Sequence, residues 1–89
     1  MDAIVYTNHV MLKMRQRGIV EAEVEQTIET GTLVDQSGTL YIRRRVFTGG
    51  YRWYERDYPQ KEVTVVYVIE NDSITALTAI ARYGRFEEA

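Results

Sequence analysis

Apolar positions recur with a helical period in the first third of the chain and with a strand period in the remainder. Ile4 to Tyr6 reads as a short first strand, after which Thr7 or Asn8 is placed to cap a helix running to about Arg17, with Gly18 ending it. Val10, Met11 and Met14 gather on one side of that helix and are expected to face the core, with Leu12 pointing away. A second helix, about Glu21 to Thr30, is expected to bury Val24 and Ile28, to carry Val20 at its lip and to end on Gly31 in a left-handed conformation. Its early glutamates suit the positive end of the helix dipole.

Nothing beyond Gly31 reads as helix. Leu33 to Gln36 and Leu40 to Phe47 flank a Ser37-Gly38 turn, and Gly49-Gly50 is a dipeptide suited to the positive φ of a tight hairpin. Tyr51 to Tyr58 returns as far as Pro59. Val63 to Ile69 is almost continuously apolar and β-branched, as a strand covered on both faces would be, and Asn71-Asp72 turns the chain into a last strand from Ile74 to Arg82. Ala76, Ala79 and Ala81 leave room there for close helix packing. The expected class is α+β, with two N-terminal helices packed on one mostly antiparallel sheet of roughly four to six strands.

Composition narrows the functions available. A chain of 89 residues, 45% apolar and 27% charged, matches a single globular domain over residues 1–89. With no Cys and one His it holds neither a disulfide framework nor a multi-histidine metal centre, and no cofactor is implied. Asp2, Asn8, His9 and Lys13 interrupt any signal-peptide core and no segment approaches a membrane span, so a cytoplasmic protein without a membrane partner is expected. The formal charge is −2, yet residues 39 to 61 hold six basic and two acidic side chains, a net +4 that leaves −6 to the remainder.

That basic centre is the first candidate site. A hairpin turning at Gly49-Gly50 would pair Phe47 with Arg52, Arg45 with Tyr54 and Arg43 with Arg56. Strand alternation then puts Tyr41, Arg43, Arg45, Phe47, Arg52, Tyr54, Arg56 and Tyr58 on one open face. Leu40, Ile42, Val46, Tyr51 and Trp53 would lie on the core face, with Arg44 meeting Glu55. Guanidinium groups interleaved with rings suit single-stranded nucleic acid, phosphate to cation and base to ring. An exposed sheet face is often charged and aromatic for solubility alone, and arginines also discourage edge pairing.

A second candidate is the stripe His9, Lys13, Arg17 on one flank of the first helix, an imidazole beside two fixed cations. His9 there is a candidate general base or acid, with Lys13 and Arg17 holding a phosphate whose neighbouring 2′-hydroxyl is to be activated. The plainer alternative is that Lys13 and Arg17 pair with the Glu21, Glu25, Glu29 stripe of the second helix. A third candidate is the end of the last strand, where Thr78, Arg82, Tyr83 and Arg85 lie close in sequence. No Gly-rich phosphate loop or Ser-His-Asp spacing is present.

The run Tyr6-Thr7-Asn8-His9, then Lys13-Met14, Arg17-Gly18-Ile19 and Glu23-Val24-Glu25, resembles a bacterial family of small domains of unknown function, number 4258. Val65-Val66-Tyr67, and Leu77-Thr78 through Arg82-Tyr83, are similar to that family's closing strands. The family in turn resembles the RelE-like and BrnT-like toxins of toxin-antitoxin pairs, compact α+β domains of which many cleave RNA. The resemblance implies a RelE-like β-α-α-β-meander fold, and puts the family's His on His9, its basic helix positions on Lys13 and Arg17, and its final-strand Thr and Arg on Thr78 and Arg82. It departs in having Val20 where the family commonly has Ser, in a longer basic hairpin and in its acidic overall charge. The expected function is a toxin-like RNA-binding domain, with metal-independent RNA cleavage through His9 as its enzymatic form. Lys13, Arg17, Arg43, Arg45, Arg52, Tyr54, Arg56 and Arg82 would hold RNA, and an antitoxin-like protein would be a further partner. The alternative is a non-catalytic protein-interaction module that pairs with a second copy of itself.

Overall fold

The computed structural model describes residues 3–86. Five strands and two helices follow the chain as β1 (Ile4–Tyr6), α1 (Asn8–Arg17), α2 (Glu21–Thr30), β2 (Thr32–Ser37), β3 (Leu40–Trp53), β4 (Arg56–Glu70) and β5 (Ser73–Gly84). They form one sheet of order β1-β5-β4-β3-β2. β2 to β5 run antiparallel to their neighbours, while β1 joins β5 in parallel, so the sheet is mixed and the class is α+β.

The helices form where local chemistry closes their ends. The Thr7 hydroxyl accepts the Val10 N–H at 3.1 Å as the α1 cap, and Gly18 closes the helix at φ 69, its N–H donating to the Met14 carbonyl. A Cβ at Gly18 would lie 2.6 Å from the Trp53 ring and 2.8 Å from the Tyr83 hydroxyl, so both the backbone and its neighbours demand glycine. α2 has half of a capping box: the Glu23 carboxylate accepts the Val20 N–H at 3.0 Å, but Val20 has no side-chain acceptor to return the bond.

Both helices lie on one face of the sheet. Val10, Met14, Ile19, Val24 and Ile28 meet Val63, Val65, Tyr67, Ala76 and Ala79, with Tyr41, Phe47 and Ala81 at the margin. The alanines of β5 admit α1 at close range, and Thr27 of α2 is fully buried with its hydroxyl donating to the Glu23 carbonyl. Met11 is 43% exposed and lies outside this core, contrary to its helical grouping with Val10 and Met14: one residue's 100° step carries it past the contact. Gly31 is extended, φ −70 and ψ 164, rather than left-handed. Glycine is needed there because a Cβ would come within 2.4 Å of the Thr27 carbonyl oxygen and 2.9 Å of that of Arg44.

The largest correction concerns the β3–β4 hairpin. It turns at Tyr54 and Glu55, with φ 48 and 65, while Gly49 and Gly50 (φ 139 and 86) sit in an irregularity within β3. The pairs are therefore Arg43 with Val65, Arg45 with Val63 and Phe47 with Lys61, and beyond the bulge Arg52 with Asp57 and Trp53 with Arg56. A glycine pair satisfies a bulge as readily as a turn, and the bulge lets one long strand run on against β4. Because Val63 and Val65 face the helices, Tyr41, Arg43, Arg45 and Phe47 face them too, and Leu40, Ile42, Arg44 and Val46 occupy the helix-free face.

The truncated α2 cap makes a direct prediction. Val20 is 57% exposed and already has the extended backbone of a capping residue, so Val20→Ser completes the box. Urea unfolding should show a gain of about 1 kcal/mol.

Candidate functional site

Two polar clusters and one hairpin tip emerge from this arrangement. The first cluster is internal. Lys61, on the helix-facing side of β4 and 3% exposed, donates from Nζ to Glu23 Oε1 at 2.7 Å and to the Gly18 carbonyl oxygen. Its ammonium lies 5.5 Å from the ring centres of both Tyr51 and Tyr83. Tyr83 stacks on Trp53 with centroids 5.1 Å apart and donates its hydroxyl proton to the Arg17 carbonyl at 2.7 Å. Burial pushes the Tyr83 phenol up to about 12, with the Glu23 carboxylate and then the Tyr51 phenol adding to the shift, and Tyr51 is raised by burial and by Glu23. Every member has a partner, so the cluster fastens the α1–α2 turn to the sheet.

The second cluster lies on the helix-free face. Glu62 of β4, 8% exposed, sits directly across from Arg82 of β5. Its carboxylate meets Arg82 Nη1 at 3.4 Å and Arg44 Nε at 3.7 Å. The carboxylate is covered while the two guanidinium side chains are 68% and 46% exposed, so one shared anion fixes two cations and leaves a surplus positive charge outward. Phe86 folds back beneath, its ring 5.2 Å from the Arg82 guanidinium. Arg44 thus pairs with Glu62 rather than Glu55. Thr78, which pairs with Val66, lies on this same face.

The other sequence candidates scatter. Arg43 donates to the Tyr67 hydroxyl at 3.0 Å and to the Gly31 carbonyl at 2.9 Å, and Arg45 donates to the Thr30 hydroxyl while resting 5.1 Å from the Phe47 ring centre. These two arginines close the C-terminal end of α2, whose last turn has no basic residue of its own. Arg52 bonds Asp57 at 3.0 Å, and Tyr54 and Arg56 stand exposed at the hairpin tip. His9 is exposed in the first turn of α1 and Lys13 is half-buried. Arg17 donates to the Ala79 carbonyl at 2.6 Å, and among the described residues neither it nor Lys13 pairs with the Glu21, Glu25, Glu29 stripe. The α1 stripe lies on the helix side and Arg82 on the opposite face, so these groups do not converge on one phosphate.

Among the described residues no group of three or more His, Cys, Asp or Glu side chains is placed to hold a metal ion, and no helix is long and apolar enough to cross a membrane. The family model described as "Domain of unknown function (DUF4258)" matches residues 6–82, nearly the whole chain. The chain belongs to that family. No curated protein and no solved structure matches it. In this DUF4258 domain, the N-terminal motif residues with visible structural work are the Thr7 cap, Gly18, Arg17 on the β5 backbone, and Glu23.

Sequence reasoning missed Lys61, Glu23 and Glu62. For Glu23 a signal existed, its spacing three residues after the α2 cap position; Lys61 and Glu62 depend on pairings visible only in three dimensions.

Two outcomes check this account. Lys61→Met strands the Glu23 carboxylate and should cost about 3–5 kcal/mol in urea unfolding, and adding Glu23→Gln, which can still accept the Val20 N–H, should restore part of it. Alkaline stability provides the other. Tyr6 is pushed up to about 12 by burial and then by Glu21 and Glu25, and its buried hydroxyl has no hydrogen-bond partner among the described residues. For Tyr6 and Tyr83 the folded value lies above the unfolded 10.0, so their stabilisation is complete below pH 10 and lost as pH rises toward 12. Tyr6→Phe should raise Tm at neutral pH and flatten the fall in Tm above pH 10.

Proposed function

We propose that this domain binds RNA on the helix-free face of its sheet, in the manner of a toxin-like domain working in the cytoplasm. The observation that carries the reading is the Arg44–Glu62–Arg82 cluster. A covered carboxylate draws two exposed guanidinium groups to one place at the surface, Arg82 by a hydrogen bond of 3.4 Å and Arg44 by an ion pair at 3.7 Å. Planar guanidinium forks suit phosphate oxygens, and their prior ordering reduces the entropy lost on binding. The resemblance to RelE-like and BrnT-like toxins supports RNA over other polyanions, and the β2-to-β5 meander behind the two helices is read as the RelE-like arrangement. His9 remains the candidate general base or acid for an endonuclease form. Its distance in the fold from Arg82, and the engagement of Arg17 with β5, favour binding over cleavage.

A second reading rests on a different observation. The same face presents Val5 and Ile80, 52% and 43% exposed, with Ile42, Val46, Val66 and Val68 half-buried beside them. An uncovered apolar sheet face also suits a protein partner, an antitoxin-like protein or a second copy of this chain.

Fluorescence anisotropy with a single-stranded RNA of about 12 nucleotides separates the two. Arg44→Gln and Arg82→Gln should each weaken binding about three- to tenfold and lower the slope of log affinity against log salt by about 0.7. Glu62→Gln keeps an amide oxygen facing the two guanidinium groups while removing the negative charge that offsets them, and should strengthen it. No retention of RNA by the wild type, together with a dimeric mass in solution, would favour the second reading.

A further inference from the structure

The chain makes two hairpin turns of the same backbone form from different residues. At the β4–β5 turn the two loop residues have φ 51 and 61, and they are Asn71 and Asp72, whose short polar side chains tolerate left-handed backbone. At the β3–β4 turn the loop residues have φ 48 and 65, and they are Tyr54 and Glu55. A tyrosine and a glutamate in that conformation are strained, and the first turn shows the residues that avoid the strain.

What the strained position presents is a ring. Tyr54 is 80% exposed, the most exposed large hydrophobic side chain of the described residues. It is held edge-on against Trp53, with centroids 4.7 Å apart and planes at 74°, and Trp53 is itself stacked on Tyr83 of the internal cluster. The ring thus packs against one fixed aromatic neighbour and is otherwise largely open to solvent. The charges beside it offer little pull on an anion, because Arg52 is bonded to Asp57 and Arg56 stands near Glu55 in sequence. The tip therefore offers an aromatic surface more than a charged one. Between Glu62 and Arg56 lie six steps of β4, so the tip stands roughly 20 Å along the strand from the arginine pair.

We infer that Tyr54 is a stacking platform for an unpaired base, which makes the ligand of this domain single-stranded rather than double-stranded RNA. The inference rests on the RNA-binding reading above and adds to it the class of RNA. In a duplex the bases already stack on one another and their faces are closed to a protruding ring.

The test uses a fluorescein-labelled oligouridylate of about 12 nucleotides and a duplex of the same length. Wild type should prefer the single strand. Tyr54→Ala should lose about tenfold or more of that affinity with the salt slope unchanged, whereas the Arg44 and Arg82 variants lower the slope. Tyr54→Phe should bind as wild type, since stacking needs the ring and not the hydroxyl. Tyr54→Asn with Glu55→Gly relieves the turn, so Tm should rise while binding falls as far as in Tyr54→Ala, which excludes misfolding as the cause. The emission of Trp53, the one tryptophan of the chain, should change when oligouridylate binds wild type. Undiminished binding by Tyr54→Ala, or equal affinity for duplex, overturns this inference while leaving the arginine site standing. Failure of the wild type to bind either RNA overturns both.

Discussion

The docking of the helices depends on one buried ammonium. Removing Lys61 Nζ from water costs several kcal/mol, and the site offsets this with the Glu23 carboxylate, the Gly18 carbonyl and the faces of two tyrosine rings. Those partners come from the turn after α1, the first turn of α2, β3 and β5, so the charge is satisfied only when all of them are in place around β4. An apolar residue at this position could give as much stability, but it would accept many neighbours. The ion pair accepts one arrangement, with the α1–α2 turn seated over the far half of the long strands. It also gives Glu23 a double duty, since the same oxygen caps α2 through Val20 N–H.

With both helices fixed on one face, the chain's cations divide between structure and surface. α2 ends without a basic residue, and its terminal carbonyls lie against β3. Arg43 answers the Gly31 carbonyl, and Arg45 bonds the Thr30 hydroxyl beside it. Because strand residues alternate, spending these two arginines inward obliges Arg44 to point outward, where Glu62 and Arg82 of the neighbouring strands meet it. The triplet Arg43-Arg44-Arg45 is therefore two groups that fasten the end of α2 to β3, with a surface cation between them.

The sequence is most legible where both partners of an interaction lie within one turn of chain. Thr7, Gly18 and the Asn71-Asp72 turn act on their immediate neighbours, and the bounds of α1 and the last turn follow from them. The hairpin is opaque for the converse reason. Gly49-Gly50 has the stronger local turn signal, but the pairing of β3 with β4 continues past it to Trp53 and Arg56, and that long-range register overrides it. A misplaced turn reassigns every facing pair, which is how an arginine-aromatic surface in sequence becomes a helix-covered face. Among the candidate residues, Arg82 keeps an exposed place beside a second cation, Tyr54 and Arg56 remain at the surface, and Arg17, Arg43 and Arg45 are drawn into structure. Glu62 was unreadable because its value lies in standing between two arginines on adjacent strands, one eighteen residues before it and one twenty after it.

Net charge is a poor guide to where such a molecule meets an anion. The chain is formally −2, and Glu21, Glu25 and Glu29 form an exposed stripe on α2. That stripe is on the helix layer, itself about 10 Å thick, and the arginine pair is on the other side of the sheet. At about 0.15 M salt the screening length is about 8 Å, so the glutamates and a phosphate bound as proposed at Arg44 and Arg82 would scarcely sense each other. At about 0.01 M salt the length grows to about 30 Å and the whole molecule repels the anion. For a polyanion docked as proposed, contact affinity and long-range steering would therefore pull in opposite directions as salt falls: the arginine contacts would tighten while the approach slowed, unlike the case of a uniformly basic protein, in which both improve together. Local pairing geometry, more than composition, decides which face of an acidic domain can hold a polyanion.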